Sequence, residues 1–248
     1  MTTPPLSRIA VLASGGGSNL QALLDHFAGA GRSHGTICWV GSNRPGAGAL
    51  TRAASMGVET GVVATPHDGA SLLAQLEAAR ADLLVLAGYL KLIPVEVVRA
   101  FHGRLLNIHP ALLPAFGGAG MYGHHIHEAV LAHGNTVTGV TVQFVDEAYD
   151  RGPIIAQWPV PVLPGDTPAT LGARVLAVEH QLYPLCVAAV AAGAVTLNAD
   201  GHVRGQLTVP SASRPDAIRF GIIPDAQAVD TDRDLSAFAS ELVHFFPR

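Results

Sequence analysis

Asn107 and His109 stand at the end of a short apolar run, and their types and spacing suit acyl-group chemistry. The run over residues 104–108 predicts a buried strand, and Pro110, which lacks a backbone N–H, predicts the end of that strand just past His109. Side chains alternate between the two faces of a strand, so Asn107 and His109 should point the same way. Because ligands of open parallel sheets bind at the carboxyl ends of the strands, we expect a site there.

Asp150, which precedes the turn signal Gly152-Pro153, is the carboxylate that could complete this pair. A carboxylate beside an imidazole raises the imidazole pKa and fixes its tautomer, which supplies a proton donor near neutral pH. An Asn amide is an uncharged donor suited to an oxyanion that develops only in the transition state. With no Ser or Cys adjacent to His109, direct attack by an amine is the simplest chemistry, although a nucleophile distant in sequence stays open. The alternative is a strand-end His bonded to the backbone and a turn Asp.

A glycine-rich segment, Ser14 to Asn19, follows the first predicted strand and opens the first predicted helix. Glycines let backbone amides approach a ligand, and the unpaired amides of a helix start attract phosphate, so the segment predicts a phosphate cradle. It lacks the third glycine of GxGxxG and the Lys of a P-loop, which excludes the usual dinucleotide and ATP signatures. The alternative is a glycine-rich turn in which Ser18 or Asn19 caps the helix.

Three histidines and two cysteines raise the question of a metal site. Adjacent and alternate histidines do not share a helical face, and we find no acidic or Cys ligand at a spacing that completes a site, so no metal is predicted. The thiols fall in a strand-like run and in an Ala/Val-rich helix, without a CxxC motif, and are expected to be buried structural residues. These residues are His124, His125, His127, Cys38 and Cys186.

The bulk composition favours a globular protein that acts on small molecules. A chain of 248 residues with 49% hydrophobic and 14% charged residues can build a large core. No apolar stretch suits a membrane span of about 20 residues, and the amino terminus lacks the pattern of a secretory signal, so a cytoplasmic location is expected. A net charge of -4 offers no basic surface for nucleic acid.

Alternating strand and helix patterns predict an α/β fold: a Rossmann-like, mostly parallel twisted sheet flanked by helices on both faces. We expect a single domain over residues 1–207 and a C-terminal extension of unknown role over 208–248, with one amphipathic helix at 237–246. Asp200-Gly201 predicts the turn of a hairpin. The predicted strands are 8–12, 36–40, 60–64, 83–87, 105–108, 137–144 and 154–162. The predicted helices are 19–28, 47–56, 71–80, 95–101, 126–131 and 167–192.

Five segments, in this order, resemble the folate-dependent phosphoribosylglycinamide formyltransferases of purine synthesis. They are SGGGSNLQALL, DLLVLAGYLKLIP, LLNIHPALLP, VTGVTVQFVDEAYDRGPIIAQ and GDTPATLGARVLAVEHQLYP. The order and spacing of five separate segments make the resemblance more specific than any one motif. It covers residues 8–193 and does not extend beyond residue 207.

The resemblance implies transfer of a formyl group from 10-formyltetrahydrofolate, a co-substrate, to the amine of 5-phosphoribosylglycinamide, without a metal. It assigns the formyl oxygen to Asn107 and His109, and to Asp150 the role of raising the His109 pKa; Asn107 also faces the folate. It further implies a phosphate site at Gly17, Ser18 and Asn19, a glycinamide contact at Glu179, and a pterin site lined by Leu90, Lys91, Leu92 and Ile93.

The sequence departs from the family pattern at three places. Gln143 stands where many relatives have His, and Lys91 where many have Arg. The stretch over residues 116–123, FGGAGMYG, is longer than the usual link at this point. Asp150 is chosen because it abuts the Gly152-Pro153 turn; the other acidic candidates nearby are Asp146 and Glu147.

The sequence leaves two rival functions open. The first is another folate-dependent formyltransferase, acting on methionyl-tRNA or an amino sugar nucleotide. The glycine-rich loop and Glu179-His180 favour the ribosylglycinamide substrate, and the lack of a basic appended domain argues against tRNA. The second is a non-catalytic nucleotide- or folate-binding module, which would bind without turnover. The expected partners are the two small molecules, and the expected state is a monomer or homodimer.

Overall fold

The computed structural model describes residues 6–207, and these form one seven-stranded sheet, one two-stranded sheet and six helices. The strands are β1 (Ser7–Leu12), β2 (Gly35–Ser42), β3 (Glu59–Val62), β4 (Leu83–Leu86), β5 (Leu105–His109), β6 (Val137–Phe144), β7 (Ile154–Pro161), β8 (Val195–Leu197) and β9 (Val203–Gly205). The helices are α1 (Ser18–Ala28), α2 (Gly48–Ser55), α3 (Gly69–Ala78), α4 (Val95–Ala100), α5 (His124–Ala132) and α6 (Pro168–Ala191).

The large sheet has the strand order β3-β2-β1-β4-β5-β6-β7, and its first five strands are parallel. Strands β6 and β7 join as antiparallel neighbours, and β8 and β9 form the predicted hairpin. The prediction of a mostly parallel α/β sheet is confirmed. The order reverses between β1 and β4, and a crevice opens at such a point beyond the carboxyl ends of the strands. The predicted extension at 208–248 and its helix lie outside the described residues.

Helices cover both faces of this sheet, as predicted. Residues of α1, α2, α5 and α6 pack in one apolar cluster, and residues of α3 and α4 pack in a second cluster on the other face. On β4, Leu83 and Val85 belong to the first cluster, whereas Leu84 and Leu86 belong to the second. Strands buried on both faces are apolar at every position, which explains why this run does not alternate.

The long helix α6 is fixed to the carboxyl edge of the sheet by Tyr183. Its start is well defined: the Thr167 hydroxyl accepts from the Thr170 N–H at 3.2 Å, and Pro168 occupies the first turn. The fully buried Tyr183 hydroxyl lies 2.8 Å from the Leu86 carbonyl oxygen and 3.2 Å from that of Leu106. Residues four apart share a helix face, so this anchor also directs Glu179 toward the strand ends.

Two smaller expectations concern the thiols and membrane spans. Cys186 is buried as predicted, but Cys38 is only half-buried, and both are free thiols. Burial raises the pKa of the Cys186 thiol and keeps it inert. Over residues 6–207, no helix is both long enough and apolar enough to cross a membrane.

We expect Tyr183→Phe to lower the free energy of unfolding by about 1 to 3 kcal/mol, because two buried carbonyl groups lose their hydroxyl partner. Urea denaturation of the purified variant measures this. Tyr122→Phe is the matched control, since the Tyr122 side chain is exposed. Equal free energies for wild type and Tyr183→Phe would contradict the proposed anchor.

Candidate active site

The glycine-rich loop lies between β1 and α1, with its backbone shaped for a close approach. Gly17 adopts φ +77°, and a Cβ at this position would lie 2.8 Å from the Ala49 Cα, so only glycine fits. Gly17 is also the N-cap residue of α1, and no side chain caps this helix. The alternative that Ser18 or Asn19 caps the helix is therefore wrong. The first amides of α1 remain available to a ligand, as a phosphate cradle requires.

Ser14 ties this loop to the segment that the resemblance assigned to the folate. Its hydroxyl donates to Asn43 Oδ1 at 2.6 Å and accepts from the Leu90 N–H at 2.9 Å. Leu90 lines the same cavity as Asn19. The other three residues of the segment line an adjoining cavity of about 50 Å³, together with Asn107 and Asp150. These three are Lys91, Leu92 and Ile93.

Asn19 connects the glycine-rich loop to Glu179 of α6. Its side-chain amide donates to Glu179 Oε2 at 3.2 Å, and Glu179 is 6% exposed. Burial raises the pKa of Glu179 to about 7, against the opposing effect of the Asn19 hydrogen bond. Near neutral pH this carboxyl group therefore exchanges a proton readily.

A cavity of about 280 Å³ brings most of the candidate residues together, and we call it the central cavity. Its walls come from the glycine-rich loop, the end of β4, the end of β5, loop 116–123, the turn before β7, and α6. Ser18 is an exception, because it lines a separate opening of about 600 Å³ between α1 and α6. The predicted residues on the central cavity are Asn19, Leu90, Asn107, His109, Asp150 and Glu179.

His109 and Asp150 form a buried pair within this cavity. Their side chains are 5% and 9% exposed, and His109 Nδ1 lies 3.5 Å from Asp150 Oδ2. On the other side of the ring, Nε2 lies 2.8 Å from the carbonyl oxygen of Phe116, which can only accept, so Nε2 carries the proton. In a neutral ring Nδ1 then presents a lone pair to the carboxylate. The His109–Asp150 pair can therefore bind one more proton, between Nδ1 and the carboxylate.

The expected pKa shift of His109 needs a correction. Asp150 does raise the pKa of His109, and so does the hydrogen bond to Phe116, but burial lowers it by more. The net pKa lies below the ordinary value for His, because the cost of burying a charged imidazolium outweighs the attraction of the carboxylate. The apolar run predicted a buried strand, but it did not indicate how deeply the His109 side chain is buried.

The long link that departs from the family pattern contacts both members of the pair. Phe116 supplies the carbonyl group on His109, and the Gly118 N–H donates to Asp150 Oδ2 at 2.9 Å. Phe116 and Asp150 have φ values of +56° and +55°, a left-handed conformation that costs energy outside glycine. Strain at both ends of this contact is typical of a backbone held for function.

Comparison with known proteins identifies the family. The Formyl transferase model matches residues 7–187. This chain belongs to the formyl transferase family.

Relatives within this family carry more specific names. The chain is 43% identical over 205 residues to the chloroplastic phosphoribosylglycinamide formyltransferase of Arabidopsis thaliana, covering 80% of this chain and 70% of that protein. It is 37% identical over 196 residues to phosphoribosylglycinamide formyltransferase of Escherichia coli, covering 77% and 90%. The crystal structure of glycinamide ribonucleotide transformylase 1 from Symbiobacterium toebii matches with a TM-score of 0.73 at 42% identity, covering 80% and 93%. The resemblance drawn from five sequence segments is confirmed.

A histidine cluster lies at the start of α5, beside the central cavity of this formyl transferase. Contrary to the spacing argument, Glu128 completes a group with His124 and His125, whose possible ligand atoms lie within 4.8 Å of one another. All three residues are exposed, and the positive end of the α5 dipole disfavours a cation there. His127 is buried instead, which lowers its pKa. The absence of a metal stays a prediction.

Sequence reasoning missed one residue of the pair's surroundings. Gln143, noted only as a departure from the formyl transferase pattern, is 2% exposed, and its Nε2 donates to Asp150 Oδ1 at 3.3 Å. Gln143 lies directly opposite Asn107 in the β5–β6 ladder. Knowledge that β5 and β6 pair in antiparallel orientation would have placed Gln143 beside Asn107. The sequence, however, did not indicate which strands pair.

We expect Glu179→Gln to flatten the pH dependence of stability. A carboxyl group whose folded pKa lies above its unfolded value binds more protons when folded, so its contribution is lost as pH rises through the folded value near 7. Between pH 5 and pH 8, the free energy of unfolding of the wild type should fall by up to about 3 kcal/mol more than that of the variant. Urea denaturation at both pH values measures the difference, and equal losses in the two proteins would contradict the buried carboxyl.

Proposed function

We propose that this chain transfers the formyl group of 10-formyltetrahydrofolate to the primary amine of 5-phosphoribosylglycinamide, a step of purine synthesis. The observation that carries the proposal is the central cavity, which is shared by Asn19 of the phosphate cradle, Glu179, and the group Asn107, His109 and Asp150. An acceptor held by its phosphate at α1 could therefore extend its amine toward the strand ends. The names of the relatives at 37 to 43% identity support the same acceptor.

The first step of the proposed reaction is attack of the neutral amine on the formyl carbon. A new C–N bond forms, the carbonyl oxygen becomes an oxyanion, and the attacking nitrogen becomes positively charged. The side-chain amide of Asn107, which lines the central cavity and makes no hydrogen bond within residues 6–207, is suited to bind that oxyanion. His109 Nε2–H would give the oxyanion the hydrogen bond that it gives to Phe116 in this structure.

The second step moves a proton from the attacking nitrogen to N10 of the folate. We propose that the Asp150 carboxylate, which lines the central cavity, takes this proton and shares it with His109 Nδ1 at 3.5 Å. Because burial lowers the pKa of His109, the pair can pass the proton on instead of retaining it. N10 gains the proton, the bond between the formyl carbon and N10 breaks, and tetrahydrofolate leaves. Atoms and charge balance without a metal or an external oxidant.

The partners in this proposal are two small molecules, and the co-substrate lies along residues 90–93. The same proposal includes a cytoplasmic location, a monomer or homodimer, and no interaction with nucleic acid or membrane.

An assay of purified protein with 10-formyltetrahydrofolate and each candidate amine tests the proposed function. Release of tetrahydrofolate should depend on 5-phosphoribosylglycinamide. Turnover with methionyl-tRNA or an amino sugar nucleotide alone would refute the proposed acceptor. Binding of the ligands without turnover would favour the non-catalytic module.

We expect Asn107→Ala and His109→Ala each to lower kcat by about 10²- to 10³-fold, the usual loss for one oxyanion donor, equal to about 2.7 to 4 kcal/mol of barrier. Steady-state kinetics with the accepted amine measures this. His102→Ala, at an exposed position, is the control and should keep wild-type kcat. Full activity in His109→Ala would remove that imidazole from the mechanism.

A further inference from the structure

The Asp150 carboxylate is held from several sides, and Gln143 is the side-chain donor among them. Oδ2 accepts from the Gly118 N–H at 2.9 Å and lies 3.5 Å from His109 Nδ1. Oδ1 accepts from Gln143 Nε2 at 3.3 Å. Rotation of the carboxylate would break both donor contacts at once, so the two amides together fix its orientation toward the imidazole.

The orientation of the Gln143 amide follows from the same contact. If the amide were turned by 180°, its oxygen would face Asp150 Oδ1, and two acceptors would repel each other. In the favoured orientation, Oε1 is buried and has no hydrogen-bond partner in the described part of the chain. A buried carbonyl oxygen without a partner costs about 1 to 3 kcal/mol, which an apolar residue of similar size would avoid. Packing alone therefore does not explain a Gln here.

The surroundings of Gln143 point to a role in the reaction. It lines the cavity of about 50 Å³ that also contains Leu92, Ile93 and Asn107, where the folate is proposed to bind. A donor that enters with the co-substrate, either an N–H group or a water molecule, can satisfy Oε1. The residue would then contact Asp150 with one end of its amide and the occupied folate site with the other.

We propose that Gln143 is a positioning residue, which holds the Asp150 carboxylate against His109 by donating a hydrogen bond that does not titrate. This inference rests on the proposed function in one respect only, namely that Asp150 takes part in proton transfer. It requires a donor at position 143, and it does not require Gln143 to touch the reacting atoms. A residue that serves only packing would not need an N–H donor, so a requirement for a donor distinguishes positioning from packing.

Three substitutions test the donor requirement. Gln143→Leu removes both ends of the amide, Gln143→Met keeps the length of the side chain but offers no N–H donor, and Gln143→His restores one N–H donor. Misplacement of a catalytic group by about 1 Å can cost about 10²-fold in rate. We therefore expect Leu and Met to lower kcat by about 10- to 100-fold with an unchanged KM for the amine, and His to recover most of kcat.

The matched control is Gln157→Leu on the neighbouring strand β7. Gln157 Nε2 donates to the Leu113 carbonyl at 2.8 Å and to Thr141 Oγ1 at 3.0 Å, so this change also removes a polar pair without touching Asp150. It should lower the melting temperature and leave kcat within about 3-fold of wild type. Wild-type kcat in Gln143→Met would overturn the proposal, and so would losses of kcat in all three Gln143 variants that merely follow their melting temperatures.

The kinetics should use whichever amine the wild-type protein accepts in the acceptor assay. If that amine is not 5-phosphoribosylglycinamide, the proposed function fails, but the donor requirement at position 143 is still measured. If the amine is the expected one and Gln143→Met is fully active, the inference fails and the proposed function stands.

Discussion

The buried contact between His109 and Asp150 is the constraint on which the rest of the site depends. Burial disfavours a charged imidazole, whereas the carboxylate at 3.5 Å and the Phe116 carbonyl at 2.8 Å favour it. The balance leaves a pair that can accept a proton and release it again, which a solvated ion pair or an isolated buried His would not do equally well. Left-handed backbone at Phe116 and Asp150 is the cost of bringing these groups together.

The parallel sheet explains how distant segments reach this pair. The carboxyl ends of β1, β4 and β5 meet at one edge, and the strand order reverses between β1 and β4, where a crevice opens. Helix α6 closes the crevice because Tyr183 bonds to Leu86 at the end of β4 and to Leu106 of β5, and one turn earlier Glu179 meets Asn19. Asn19 of the glycine-rich loop, the Glu179 carboxyl group and the His109–Asp150 pair therefore border one cavity although they lie far apart in sequence.

Local sequence signals predicted the parts of the structure that depend on local physics. The apolar run and Pro110 predicted the end of β5, and strand alternation placed Asn107 and His109 on the same cavity. What the sequence did not predict depends on tertiary packing: the contact of Gln143 with Asp150 needs the β5–β6 pairing, and the lowered pKa of His109 needs the depth of burial. Ser18 faces a different opening because α1 turns it away from the central cavity.

A double-mutant cycle of His109→Ala and Asp150→Asn, measured as kcat/KM, tests the central claim most directly. If the two side chains act as one proton-transferring unit, their effects are strongly non-additive, and the double variant should be about as slow as the slower single variant. If the losses in the two single variants multiply in the double variant, the residues act independently, and the account of a shared proton is wrong.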